Sequence, residues 1–160
     1  MEQLIDAILQ ALSDAEITAV KQLPQISFPH LTAPVTAVGL HAAKAADYAL
    51  FCYLGKTERN GEDFELYGKE LKAEIFLQTV CPRRLGAECC MQQTDRIVEL
   101  LAEPMQAVSL TGFSVGACEY DAQADVFSMT VTAQVRAYLY ALSTEDETEF
   151  TEFILKGEVQ

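Results

Sequence analysis

Apolar side chains near the start of the chain recur at helical spacing. Leu4, Ile5, Ile8 and Leu12 fall on one stripe, so residues 3 to 12 read as an amphipathic helix whose end Ser13-Asp14 loosens. Ile17 to Val20 reads as a short strand. The segment LPQISFPHLTAPV then sets Pro24, Pro29 and Pro34 at five-residue intervals, which forbids helix and suits an extended surface arm. Val35 to Leu40 reads as a strand, while the apolar run Tyr48 to Leu54 is too short for its period to separate helix from strand. The polar stretch KTERNGED, 56 to 63, carries Asn60-Gly61 at its tip and predicts a hairpin.

From Tyr67 the period is two. Leu71, Ala73, Ile75 and Leu77 alternate with Glu70, Lys72, Glu74 and Phe76, a strand with one face in the core, and Pro82 ends it. Residues 87 to 103 return to helical period, with Cys90, Thr94, Ile97 and Leu101 on one stripe, Met91 and Val98 beside it, and Pro104 after. Two further strands are predicted, Val108 to Tyr120 and Asp125 to Tyr140, joined by a turn at Asp121 to Ala124. The second places Phe127, Met129, Val131, Ala133, Val135, Ala137 and Leu139 on one face over an unusual length. Phe150 to Leu155 closes the pattern as a strand. Strands joined by tight turns pair antiparallel, so the fold class is α+β: a mostly antiparallel sheet with two helices packed on one face. The 160 residues form one domain, with no internal repeat or linker.

Composition narrows what this domain does. Twenty-four acids against eleven bases give a net charge of −13, opposite to what phosphate contacts require, so sequence-specific nucleic-acid binding is not expected. The densest acidic run is Glu145-Asp146-Glu147-Thr148-Glu149. The start Met1-Glu2-Gln3 lacks a signal-peptide pattern and the longest apolar run, Ala49 to Leu54, is too short for a bilayer, so a soluble, unexported protein is expected. Five cysteines, Cys52, Cys81, Cys89, Cys90 and Cys118, show no metal-ligand spacing and fit reduced thiols filling apolar space. No metal or other cofactor is expected.

One motif points to chemistry. Gly112-Phe113-Ser114-Val115-Gly116 spells G-x-S-x-G, the elbow that presents a nucleophilic serine at a strand-to-helix turn. Here strand pattern follows Ser114, and both histidines, His30 and His41, precede it. The set His41, Asp47 and Ser114 has the order of a triad without the scaffold of one. Gly112 and Gly116 read instead as a bulge or a close backbone approach. Glu70, Lys72 and Glu74 offer paired carboxylates around a base, or a charged solvent face. Gly55, Gly61 and Gly68 are too dispersed for a phosphate loop, and Arg83-Arg84 offers an anion contact or surface salt bridges. A thiol at the start of the second helix, Cys89 or Cys90, is the remaining enzymatic candidate.

The whole layout carries a resemblance. The helix MEQLIDAILQAL, the arm LPQISFPHLTAPV, the strand YGKELKAEIFLQTVCP, the helix ECCMQQTDRIVELL, the hairpin GFSVGACEYDAQADVFSMTVTAQVRAYLYA and the ending FTEFILKGEVQ together resemble the tail-terminator (tail-completion) proteins of long-tailed phages and prophages. The resemblance implies a non-enzymatic protein that assembles in the bacterial host cytoplasm as a ring with itself, typically six-fold, on the end of the tail tube. There it stops polymerisation and presents a surface to a head-completion protein, becoming part of the virion tail. The implied partners are other copies, the tail-tube protein and the head-completion protein, with no membrane. Tail-tube and head-tail joining proteins share this construction, and a small thiol enzyme or ligand-binding domain is the alternative of a different class. Under the ring reading, the arm prolines Pro24, Pro29 and Pro34 and the acidic residues Glu145, Asp146 and Glu147 are the candidate contact elements. Acids lining a ring would also repel DNA and let it slide.

Overall fold

The structure, a computed structural model, describes residues 2–21, 31–47, 53–59, 61–103, 109–142 and 154–156. Helix α1, Glu2–Asp14, buries Leu4, Ile8 and Leu12 to 2 % exposure or less. Each such burial contributes roughly 2 kcal/mol. The helix ends with two return bonds, Glu16 N–H to the Ser13 carbonyl and Ile17 N–H to the Leu12 carbonyl, around Glu16 in a left-handed conformation with φ 58°. That cap drops Ile17 into the core and shortens the expected strand at 17–20. Only Ala19–Val20 remains as β1, paired in parallel with Thr36 and Ala37.

Strand β2 runs Val35–Asp47, well past the expected end at Leu40, because a bulge between Leu40 and Ala42 lets pairing continue on the far side. His41 therefore lies inside a strand and not at its end. Of the ambiguous run Tyr48 to Leu54, only Tyr53 and Leu54 are described. They open β3, Tyr53–Arg59, which pairs with the start of β4, Glu62–Pro82. Arg59 opposes Glu62, so β3 and β4 pair up to the point where the sequence predicts a hairpin, with Gly61 at φ 83°. A short 3-10 turn, Arg83–Leu85, leads into helix α2, Gly86–Ala102, whose buried stripe is Cys90, Thr94, Ile97 and Leu101, as the sequence period requires.

The expected strand at 108–120 is divided. Strand β5 is Ser109–Val115 and β6 is Glu119–Asp121, with residues 116–118 outside regular structure between them. Val115 opposes Val131 and Glu119 opposes Ser128, so residues 116–118 face only 129–130 of β7 and the register slips there; Gly116 itself donates its N–H to the Thr130 carbonyl. An added Cβ there would lie 3.3 Å from that oxygen, so this is a close backbone approach. Gly112 sits at a register shift, as a bulge glycine does. A turn in which the Asp121 carboxylate accepts from the N–H groups of Gln123 and Ala124 leads to β7, Val126–Leu142. Ile154–Lys156 forms β8, and the rest of the expected closing strand lies outside the described residues.

These strands make one mixed sheet in the order β1-β2-β4-β7-β5, with β3 beside β4 and β6 and β8 beside β7. Every pairing except β1 with β2 is antiparallel. Both helices cover the same face, α1 against β2 and α2 against β4 and β7, so the α+β class with helices on one side holds. Between helices and sheet lies the core of Ile75, Leu77, Val131, Ala133, Ile97 and Leu101 with their neighbours. The opposite face carries Glu70, Lys72 and Glu74, alternating with the core residues along β4.

Candidate functional site

The central strands leave the sheet with two free sides. Among the described residues, nothing pairs with the outer side of β2 beyond the Ala37 position, and nothing pairs with the outer side of β5. Strand direction alternates from β2 through β4 and β7 to β5. The two free strands of one copy therefore run antiparallel to each other. Their side chains differ in kind. The second half of β2, residues 41–46, is exposed throughout and carries His41 and Lys44 among alanines. On the other side, β5 and β6 expose Phe113, Val115 and Tyr120 by 40, 44 and 43 %, and β6 adds Glu119 and Asp121. The register places Leu40, opposite Ile75, and Phe113, opposite Ala133, on the helix side of the sheet. Leu40, also 40 % exposed, thus lies on the same side as the apolar residues of β5.

Other sequence candidates are scattered. Ser114 lies in β5 opposite Thr132, whereas His41 lies in β2, with β4 and β7 between them. Three strand spacings separate the two by about 14 Å, so His41, Asp47 and Ser114 are not assembled into a triad. Glu70 is engaged by two cations, Arg136 Nε at 3.0 Å and Lys72 Nζ at 3.3 Å. His41 Nε2 is 4.0 Å from Glu74. On the helix-free face, register aligns Lys44, Lys72 and Arg136 in one row across β2, β4 and β7, beside an open groove that Gln134 and Thr111 also line. Glu70 screens that row of like charges. Arg83 stands over the Tyr120 ring and 3.6 Å from the Asp125 carboxylate, and Arg84 donates to the Thr32 carbonyl, so both arginines serve local contacts.

Of the expected contact elements, Pro34 is described and precedes β2. Pro24, Pro29, Glu145, Asp146 and Glu147 lie outside the described residues, as do His30 and Cys52.

The remaining cysteines converge, which their sequence spacing did not suggest. Cys81 near the end of β4 and Cys90 on α2 are buried, and Cys89 and Cys118 are half-buried. Cys90 adjoins both Cys81 and Cys118, and Cys81 also adjoins Cys89. Contact with Cys81 draws the Cys90 thiol below the ordinary range against the opposing effect of burial, and Cys118 adds to the lowering. The same contact and burial push Cys81 well up, while burial and then Cys90 raise Cys118. No three His, Cys, Asp or Glu side chains among the described residues are grouped so as to hold a metal ion. Nor is any described helix long and apolar enough to cross a membrane.

No protein-family model matches the chain, and no curated protein matches it.

Proposed function

We propose that this chain is a structural assembly protein of a long-tailed phage or prophage, a tail terminator that closes into a ring on the tail tube, ends its polymerisation and offers a surface to the head. The observation that carries the reading is the pair of free strands on opposite sides of one sheet. Placed side by side, β5 of one copy meets β2 of the next in antiparallel orientation, so each copy extends its neighbour's sheet. Such contacts are head-to-tail and close into a ring when the rotation between copies closes. Leu40 then lies beside Phe113, at the level of Ile75 and Ala133, and Val115 lies two residues further along the same side. The chain's acidic surplus suits a lumen through which DNA slides.

Light scattering across concentrations with negative-stain imaging tests this. Closed rings are the expected species, and Val115→Lys, which puts a charge on an exposed edge, is expected to return them to monomers that still unfold cooperatively, with a midpoint that no longer depends on protein concentration. A strict two-fold dimer, or a monomer at every concentration, overturns the reading. Rings that stack without limit would move it to the tail-tube class.

A further inference from the structure

The helix-free face of the sheet carries an inference of its own, independent of how copies meet. Lys44 in β2 stands opposite Lys72 in β4, and Lys72 stands opposite Arg136 in β7, so three cations cross the sheet in one row at strand spacing. They are three of the eleven lysines and arginines in a chain of net charge −13. Like charges set directly opposite one another destabilise a strand pair, so the row has a cost that an anion would relieve.

One carboxylate already answers part of it. Glu70, in the next row and with a side chain only 13 % exposed, lies 3.3 Å from Lys72 Nζ and 3.0 Å from Arg136 Nε. Lys44 has no acid beside it among the described residues. The row on the other side is Ala42, Glu74, Gln134 and Gly112, whose two ends carry a methyl group and no side chain at all. That leaves room. The two rows enclose an open groove of about 490 Å³, a volume in the range of small-molecule sites.

Charge decides what fits. Three cations against one carboxylate leave two positive charges unmatched, and the phosphoryl group of a monoester carries about −1.5 to −2 at neutral pH. The lysines meet it as point charges, and the Arg136 guanidinium as a planar fork of donors. In the far row Glu74, 4.0 Å from His41 Nε2, accepts from a hydroxyl group and repels a second anionic group, while the Gln134 amide serves either a donor or an acceptor. We infer that this groove binds a small phosphomonoester with a neutral, hydroxyl-bearing body. The phosphoryl group lies over Lys44, Lys72 and Arg136, and the hydroxyls point toward Glu74 and Gln134.

Isothermal titration of the full chain tests this, with glucose 6-phosphate as the probe and glucose, sulfate and citrate as comparisons. Expected are saturable binding of one glucose 6-phosphate per chain, no binding of glucose, and binding of sulfate and citrate weaker by about tenfold or more. Lys44→Gln is expected to weaken the sugar phosphate about tenfold or more without lowering the unfolding midpoint of the free protein. Lys56→Gln makes the same charge change on β3, outside the groove, and is expected to leave binding unchanged. Glu74→Gln is expected to narrow the gap between citrate and the sugar phosphate. Equal weakening by the two lysine variants would mean that binding follows net charge alone, and would overturn the inference. So would sulfate or citrate binding as tightly as the sugar phosphate, or the absence of both binding heat and a raised midpoint at millimolar probe.

Discussion

The centre of the sheet and its two sides obey different rules. From Leu71 to Leu77 in β4 and from Val131 to Ala137 in β7 every second residue is buried. Ile75, Leu77, Val131 and Ala133 are all fully buried, and the sequence there has the strict alternation that burial on one face imposes. Along β2 beyond Leu40 and along β5 the same backbone carries alanines, glycines and exposed apolar residues. There the alternation has little to enforce. The contrast teaches where stability is written and, under the proposed ring, where contacts between copies would be. In the centre a side chain is answerable to its own core, whereas at the sides it remains available to another chain.

The largest test of that division compares truncations. Ile75→Ala removes a fully buried side chain from the central strand and is expected to cost about 2–5 kcal/mol, read as a fall in the urea midpoint at constant slope. Val115→Ala, at a site 44 % exposed, is expected to cost under about 1 kcal/mol. Equal losses at the two positions, in a monomeric preparation, would mean that Val115 is held by its own chain as firmly as Ile75 and that the division is false.

Between centre and side stands Gly39, in β2 opposite Phe76. A Cβ built there runs into the Phe76 ring, far inside van der Waals contact, so this glycine is required by a close approach and not by its backbone angle. Gly39→Val is expected to destabilise by roughly 1–3 kcal/mol, since the ring must leave its place. Gly39→Val combined with Phe76→Ala is expected to recover part of that loss, measured as a coupling energy in a double-mutant cycle. Simple additivity would show that the ring moves aside freely and that β2 is as permissive at Gly39 as at its far end.

Much of this was legible from residues alone, and the exceptions have physical causes. Helix α2 was readable because Cys90, Thr94, Ile97 and Leu101 repeat at helical spacing, and the hairpin was readable because Asn60-Gly61 fits a two-residue turn. The length of β2 was not. Past Leu40 it is HAAKAAD, rich in alanine and exposed, so neither period nor propensity marks it, and its pairing with β4 alone makes it a strand. The division of β5 from β6 was hidden for a related reason. Gly116 was recognisable as a special position, but the slip in register on β7 that divides the strands is fixed by pairing between distant residues. Cysteine convergence was equally out of reach, because Cys81, Cys90 and Cys118 are joined only by the path of the chain through β4, α2 and β5.

The smallest expected effect concerns the β6 end of the same side, where Tyr120 is exposed yet locally held. Its hydroxyl donates to the Asp125 carboxylate, which raises the phenol's pKa above that of a free tyrosine. Desolvation adds to the rise, and Arg83 over the ring opposes it. A raised folded-state pKa places the contribution to stability below the unfolded pKa of about 10 and removes it as pH climbs through the folded value. Ultraviolet titration of the phenolate in wild type and in Asp125→Asn reads this directly. Asparagine tolerates the left-handed backbone that Asp125 adopts, with φ 55°, so the variant removes the charge while keeping the turn. The late-titrating phenol is expected to move back toward the ordinary range in Asp125→Asn, and the alkaline loss of stability contributed by Tyr120 to shrink. Unchanged titration curves would show that the Tyr120 side chain is loose in solution, and that this side of the sheet is open even beside the Asp125 carboxylate.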